Sequence, residues 1–166
     1  YPVLGSMEAV NRYPDARLVP DNEWAHPYAI PRERLISLVD PNGIVSPTAT
    51  IGQGCVIYPN CWIGLNASLG DFVFCLSGCT INHDVTIEDR VVLASGVTMA
   101  GSVHVESDCY LGQSCSIRQY VRVGTGSLVG MGSVVVKDVP PDSVVAGNPA
   151  RPLSGGKAAG ARRNVQ

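Results

Sequence analysis

The chain has 166 residues, enough for one domain with short ends. Its formal net charge of −2 offers no basic surface for a nucleic acid, and no apolar run approaches the length of a membrane-crossing helix. The chain opens on Tyr1 rather than Met, so upstream residues are expected to have been removed; no signal peptide is visible.

Residues 1–40 are irregular. Pro2, Pro14, Pro20, Pro27 and Pro31 cut them into short pieces. Residues Ser6 to Asn11 read as a capped helical turn, and Pro31 to Val39 as a short helix with Pro31 at its first position. Such a segment would cover the first open edge of whatever fold follows.

From Val45 to Val135 an apolar residue falls at every sixth position without a slip. Three hexads make a triangular coil, so residues three hexads apart stack. One inner column is then Val45, Ile63, Ile81, Met99, Ile117, Val135. The second is Ile51, Leu69, Ile87, Val105, Val123, and the third Ile57, Cys75, Leu93, Leu111, Val129. The fifth place of each hexad is small or β-branched, as a corner requires. Neither a helix of period 3.6 nor a lone strand of period 2 gives this pattern. The fold expected is an all-β solenoid, a parallel β-helix of about five coils stacked at about 4.8 Å.

The hexads end near Val139, where Pro140-Pro141 and a Gly147-Asn148-Pro149 turn stop the solenoid. The tail from Ser154 to Gln166 is rich in Gly, Ala and Arg and is expected to be flexible. The division is therefore 1–40 as a cap or the remnant of an N-terminal domain, 41–147 as the β-helix, and 148–166 as a turn and tail.

Five of the six cysteines (Cys55, Cys61, Cys79, Cys109, Cys115) take the small fifth place, and Cys75 an inner column. They read as buried thiols of a reducing compartment, hence a cytoplasmic chain, although a Cys61–Cys79 bridge is geometrically conceivable. Of three histidines, His26 stands alone in the leader and His104 at an outward sixth place. His83 shares a column with Leu65, Gly101 and Gln119; Gly101 leaves space beside the imidazole, and the neighbouring column Leu76, Ala94, Gly112, Gly130 is small as well. Asp84 follows directly and could hold the tautomer of a basic His83. The same pair could equally be a surface histidine on a polar corner. The step from His83 to His104 is not a whole number of coils, so the two share no column and no metal site is expected.

Three stretches carry a resemblance: Asn82-His83-Asp84-Val85-Thr86-Ile87-Glu88-Asp89, Ser95-Gly96-Val97-Thr98-Met99-Ala100-Gly101, and Val145-Ala146-Gly147-Asn148-Pro149-Ala150-Arg151-Pro152-Leu153. They resemble the hexapeptide-repeat acyltransferases that O-acetylate sialic acid or N-acetylate nucleotide-linked amino sugars from acetyl-CoA. The resemblance covers about residues 40–153, and Pro2 to Ser6 also resembles the end of that family's N-terminal domain. It implies a left-handed helix and a homotrimer, with the flat polar prism faces paired. The active site would lie between neighbouring prisms. It further implies His83 as general base, Asp84 as its helper, and Gly101, Gly112, Gln113, Gly130 and Met131 along acetyl-CoA. The chain departs from the family at Val92, where a second histidine is frequent. It also lacks the Gly-rich start of the N-terminal domain, which weakens any assignment of the sugar nucleotide.

The function expected is acetyl transfer to the amine of a nucleotide-linked amino sugar in cell-surface glycan synthesis. His83 would take the proton, a backbone N–H such as that of Gly101 would stabilise the oxyanion, and no acyl-enzyme would form. An O-acetyl acceptor such as sialic acid, a non-sugar such as serine, and a non-catalytic trimeric scaffold are the alternatives.

Overall fold

Each hexad folds as a two-residue strand and a turn. The computed structural model describes residues 13–19 and 31–157. The helical turn expected at 6–11, the leader at 2–6, His26 and residues 158–166 lie outside the described residues. Three parallel sheets form the sides of the prism. The first face stacks Leu38–Val39, Val56–Ile57, Phe74–Cys75, Val92–Leu93, Tyr110–Leu111, Leu128–Val129 and Ser143–Ala146. The second stacks Ile44–Val45, Trp62–Ile63, Thr80–Ile81, Thr98–Met99, Ser116–Ile117 and Val134–Val135. The third stacks Thr50–Ile51, Ser68–Leu69, Thr86–Ile87, His104–Val105 and Arg122–Val123.

Register is constant: Ile63 pairs with Ile81, Leu69 with Ile87 and Leu93 with Leu111, each three hexads on. The three inner columns are those read from the sequence, and nearly all their members are buried. The second face has six levels, so the prism is about six coils tall rather than about five. The difference comes from the ends. Leu38–Val39 already pairs with Val56–Ile57, which also explains why the helix expected over 31–39 shrinks to the 3-10 turn Arg32–Arg34. After Val139, Val144 pairs with Leu128, so the last coil is shorter than the three hexads of the others. Arg151–Lys157 then returns antiparallel along Ser143–Ala146 and covers the top edge of the first face. Strand thus extends as far as Lys157, into the tail expected to be flexible.

The corners have a rule of their own. From residue 54 to residue 132 every fourth place has positive φ, between +54° and +76°. Gly54, Gly78, Gly96, Gly126 and Gly132 suit that conformation, and Asn60, Asn66, Asp84 and Asp108 tolerate it. The second-place carbonyl accepts from the fifth-place N–H, as in Cys115 to Gly112 at 3.1 Å, which closes a turn of the type that needs positive φ at its third residue. At the fifth place the thiols do more than fit. Cys55 donates to the Gly70 carbonyl at 3.1 Å, Cys61 to Leu76 at 3.3 Å, Cys79 to Ala94 at 3.3 Å and Cys109 to Gly124 at 3.2 Å, each time into the coil above. All six cysteines are buried free thiols, so the conceivable Cys61–Cys79 bridge is absent.

The outer surfaces differ, which corrects the expectation of polar faces. On the first face the outward strand column is Leu38, Val56, Phe74, Val92, Tyr110, Leu128 and Val144, of which Phe74 and Val92 are buried. On the third it is Thr50, Ser68, Thr86, His104 and Arg122.

Candidate active site at the His83 corner

His83 and Asp84 occupy the third and fourth places of their hexad, in the turn between the second and third faces. The turn aims both side chains outward: His83 is 62% and Asp84 51% exposed. Nδ1 of His83 lies 2.9 Å from Oδ2 of Asp84. A carboxylate only accepts, so the proton of a neutral imidazole sits on Nδ1, and Nε2 keeps its lone pair for a substrate. The second oxygen of Asp84 accepts from Nδ2 of Asn66 at 3.1 Å. The hydrogen bond to His83, and secondarily that from Asn66, holds the Asp84 carboxyl below its ordinary range. Asp84 therefore stays ionised and keeps its bond to His83 in mildly acidic solution.

Gly101 lies one coil above, directly against the imidazole. A Cβ there would come within 2.5 Å of Nε2 and 3.0 Å of Nδ1 of His83. The imidazole itself occupies the space that the missing Cβ leaves. Above it, Ala100, Arg118, Gln119 and Tyr120 line a shallow hollow. Asn82, beside the histidine, donates from Nδ2 to the Met99 carbonyl at 2.7 Å and so ties the corner to the coil above.

Gly112, Gln113, Gly130 and Met131 are not brought to this corner. They follow the strands Tyr110–Leu111 and Leu128–Val129, on the turn between the first and second faces. One whole side of the prism, roughly 15–20 Å of chain, separates them from His83. Gly112 packs tightly under the backbone of Gly130 and Met131, and Met131 is 79% exposed. Val92, where the resembled family often has histidine, sits between Phe74 and Tyr110 on the first face.

Two other features were not legible as site residues. Asn66 is one. The other is a second histidine–carboxylate pair, Nε2 of His104 to Oε1 of Glu88 at 2.8 Å, with Ser107 donating to Oε2 from its N–H and hydroxyl. Burial pushes the Glu88 carboxyl up, but the bonds from His104 and Ser107 outweigh it and hold the group below its ordinary value. This pair lies on the third face, away from His83, and makes structural bonds with both carboxylate oxygens. Among the described residues no three His, Cys, Asp or Glu side chains cluster as metal ligands would.

Residues 102–137 match the family model described as the hexapeptide repeat of succinyl-transferase. Serine acetyltransferase 4 of Arabidopsis thaliana is 37% identical over 109 residues, 64% of this chain and 28% of that protein. The acetyltransferase domain of PglB from Neisseria gonorrhoeae, solved in complex with acetyl coenzyme A, is 34% identical. Its TM-score is 0.70, over 72% of this chain and 58% of that one. PerB from Caulobacter crescentus, solved with CoA and GDP-perosamine, superposes with a TM-score of 0.84 over 92% of this chain and 78% of that one. Its identity is 24%, so this likeness carries the fold alone. The matched family model is a hexapeptide repeat, and the similar proteins named are acetyltransferases. The chain spans 28% of the plant enzyme and 58% of the PglB domain.

Proposed function

We propose that this chain is an acetyl-CoA-dependent acetyltransferase whose general base is His83. The observation that carries the reading is the His83–Asp84 pair, with Nδ1 engaged at 2.9 Å and Nε2 free on an exposed corner. The acceptor is the amine of a nucleotide-linked amino sugar. Its nitrogen attacks the thioester carbonyl carbon, Nε2 of His83 takes the proton, and collapse of the tetrahedral intermediate breaks the C–S bond. The proton then passes to the departing thiolate. The N–H of Gly101 is the proposed donor to the oxyanion. Acceptor and thioester meet directly, so none of the buried cysteines is acylated.

The active form in this reading is a homotrimer. Gly112, Gln113, Gly130 and Met131 can line the same acetyl-CoA as His83 only if a second copy presents its other corner to the first. On the first face Leu38 is exposed and Leu128 half-buried, and they leave apolar surface for that contact, while Phe74 and Val92 are already buried within the chain.

The test is acetyl-CoA thioester loss against a panel of nucleotide amino sugars, for wild type and His83→Ala. Turnover on one sugar that disappears in the variant supports reaction and base together. Full turnover in His83→Ala would remove the base assignment. Turnover only on sialic acid or serine would move the acceptor from nitrogen to oxygen. A scaffold would show neither turnover nor thermal stabilisation by acetyl-CoA, whereas an enzyme is stabilised by mass action.

A further inference from the structure

Asp84 engages both of its oxygens, and only one of them with His83. Oδ1 accepts from Nδ2 of Asn66 at 3.1 Å while Oδ2 faces the imidazole at 2.9 Å. Asn66 is itself fixed from the coil below. Its backbone N–H donates to Oγ1 of Thr48 at 2.9 Å, and that hydroxyl lies 3.2 Å from Oγ of Ser46. Thr48, Asn66 and Asp84 are the fourth-place residues of three successive coils, so the same corner geometry that shapes the turns aligns this ladder. The amide orientation is not arbitrary: a carboxylate has no proton to give, so Nδ2 must be the atom that meets it.

We propose that Asn66 is a positioning residue for acetyl transfer, holding the Asp84 carboxylate in the rotation that points Oδ2 at Nδ1 of His83. The terminal torsion of an aspartate is soft, and half of this side chain is exposed to water. With Oδ1 released, water competes for the carboxylate and the Nδ1–H tautomer of His83 loses its anchor. The kinetic part of this proposal rests on His83 being the base; the structural part does not.

Two substitutions separate the tether from the fold. Asn66→Gly keeps the positive φ of 54° and the N–H to Thr48 but removes the amide. Asn66→Asp keeps the turn preference and puts an acceptor where the donor was. The first readout is the tautomer of the His83 imidazole from its 15N shifts, which needs no turnover. Asn66→Gly should lower the Nδ1–H fraction, and Asn66→Asp should lower it further. The second readout is kinetic. Asn66→Gly should reduce kcat about three- to tenfold, the effect of one hydrogen bond, with KM for both substrates and the thermal midpoint little changed. In an Asp84→Asn background the same substitution should have no further effect. An unchanged tautomer in Asn66→Gly, or the same fold-loss in both backgrounds, would overturn the proposal. If no acceptor gives turnover, or His83→Ala remains active, the base assignment fails while the tautomer measurement still decides the tether.

Discussion

The imidazole of His83 rests on a position without a side chain, and that contact is open to a one-atom experiment. Gly101 does not use positive φ, so alanine suits its backbone; the added methyl would collide only with the far end of the His83 side chain. We expect Gly101→Ala to melt within a few degrees of wild type and to bind acetyl-CoA, while kcat/KM falls about a hundredfold, the scale of a misplaced base. A melt lowered together with lost binding would instead make Gly101 a packing residue. At this scale the sequence was only partly informative. His83 and Asp84 stand side by side and could be read as a pair. Asn66 is a whole coil away from Asp84, in no local motif, and its relevance appears only when fourth-place residues are stacked coil on coil. Gly101 was visible as a small residue, but whether a ligand or the histidine filled its space depends on a side-chain torsion that spacing does not determine.

The turn is the element that repeats most strictly, and some turns carry residues ill suited to it. Tyr120 holds φ at +63° with its side chain 74% exposed, so little packing compensates for a left-handed backbone. Tyr120→Asn should raise stability by about 0.5–1 kcal/mol in urea titration, since asparagine adopts this conformation more readily. The turns between the third and first faces use another device: carboxylates that accept third-place N–H groups. Asp71 accepts from Gln53 and Asp89 from Asp71 at 2.8 Å; Glu88 accepts from Ser107 at 3.1 Å and Glu106 from Thr125 at 2.7 Å. The Thr125 N–H and then Arg122 hold Glu106 below its ordinary range, and Glu88 is lowered as well. A depressed folded-state pKa adds stability that is complete above the unfolded value, near 4.5, and is lost as pH falls through the lower folded value. The urea midpoint should therefore fall as the pH drops below about 4.5, and Glu88→Gln with Glu106→Gln should flatten that slope. Hexad spacing located these turns, but not their carboxylate caps, whose partners lie in a neighbouring coil.

For the whole molecule, the inner columns, their coil-to-coil register and the end of the repeat near Val139 were legible, because burial imposes one residue type at one interval. The number of coils was not, because Leu38–Val39 and Ser143–Ala146 join the sheets with only part of the motif. The contrast between the outer faces was hidden for a similar reason: each hexad contributes a single outward strand residue, and neighbours in sequence belong to different sides. The apolar column from Leu38 to Val144 leads to a prediction for assembly. Leu128→Glu places a charge on the half-buried residue next to the upper end of that column without touching an inner position. If the proposed trimer forms, light scattering should then give the mass of one chain for the variant against three for wild type, with the proposed acetyl transfer lost and the circular dichroism of the coils retained. A wild-type mass of one chain would remove the shared site.

The unbroken register also limits how this chain can gain or lose length. Deleting one hexad between two coils would leave every inward residue inward, yet carry all that follows one third of a turn around the axis. His83 would then face a different corner from Gly101, and Asn66 from Asp84, according to where the cut fell. A change of whole coils keeps every corner aligned, and one made outside residues 66–101 leaves both pairs in contact. Duplication of a whole coil above Gly101 should thus be tolerated where a shorter and apparently milder indel is not.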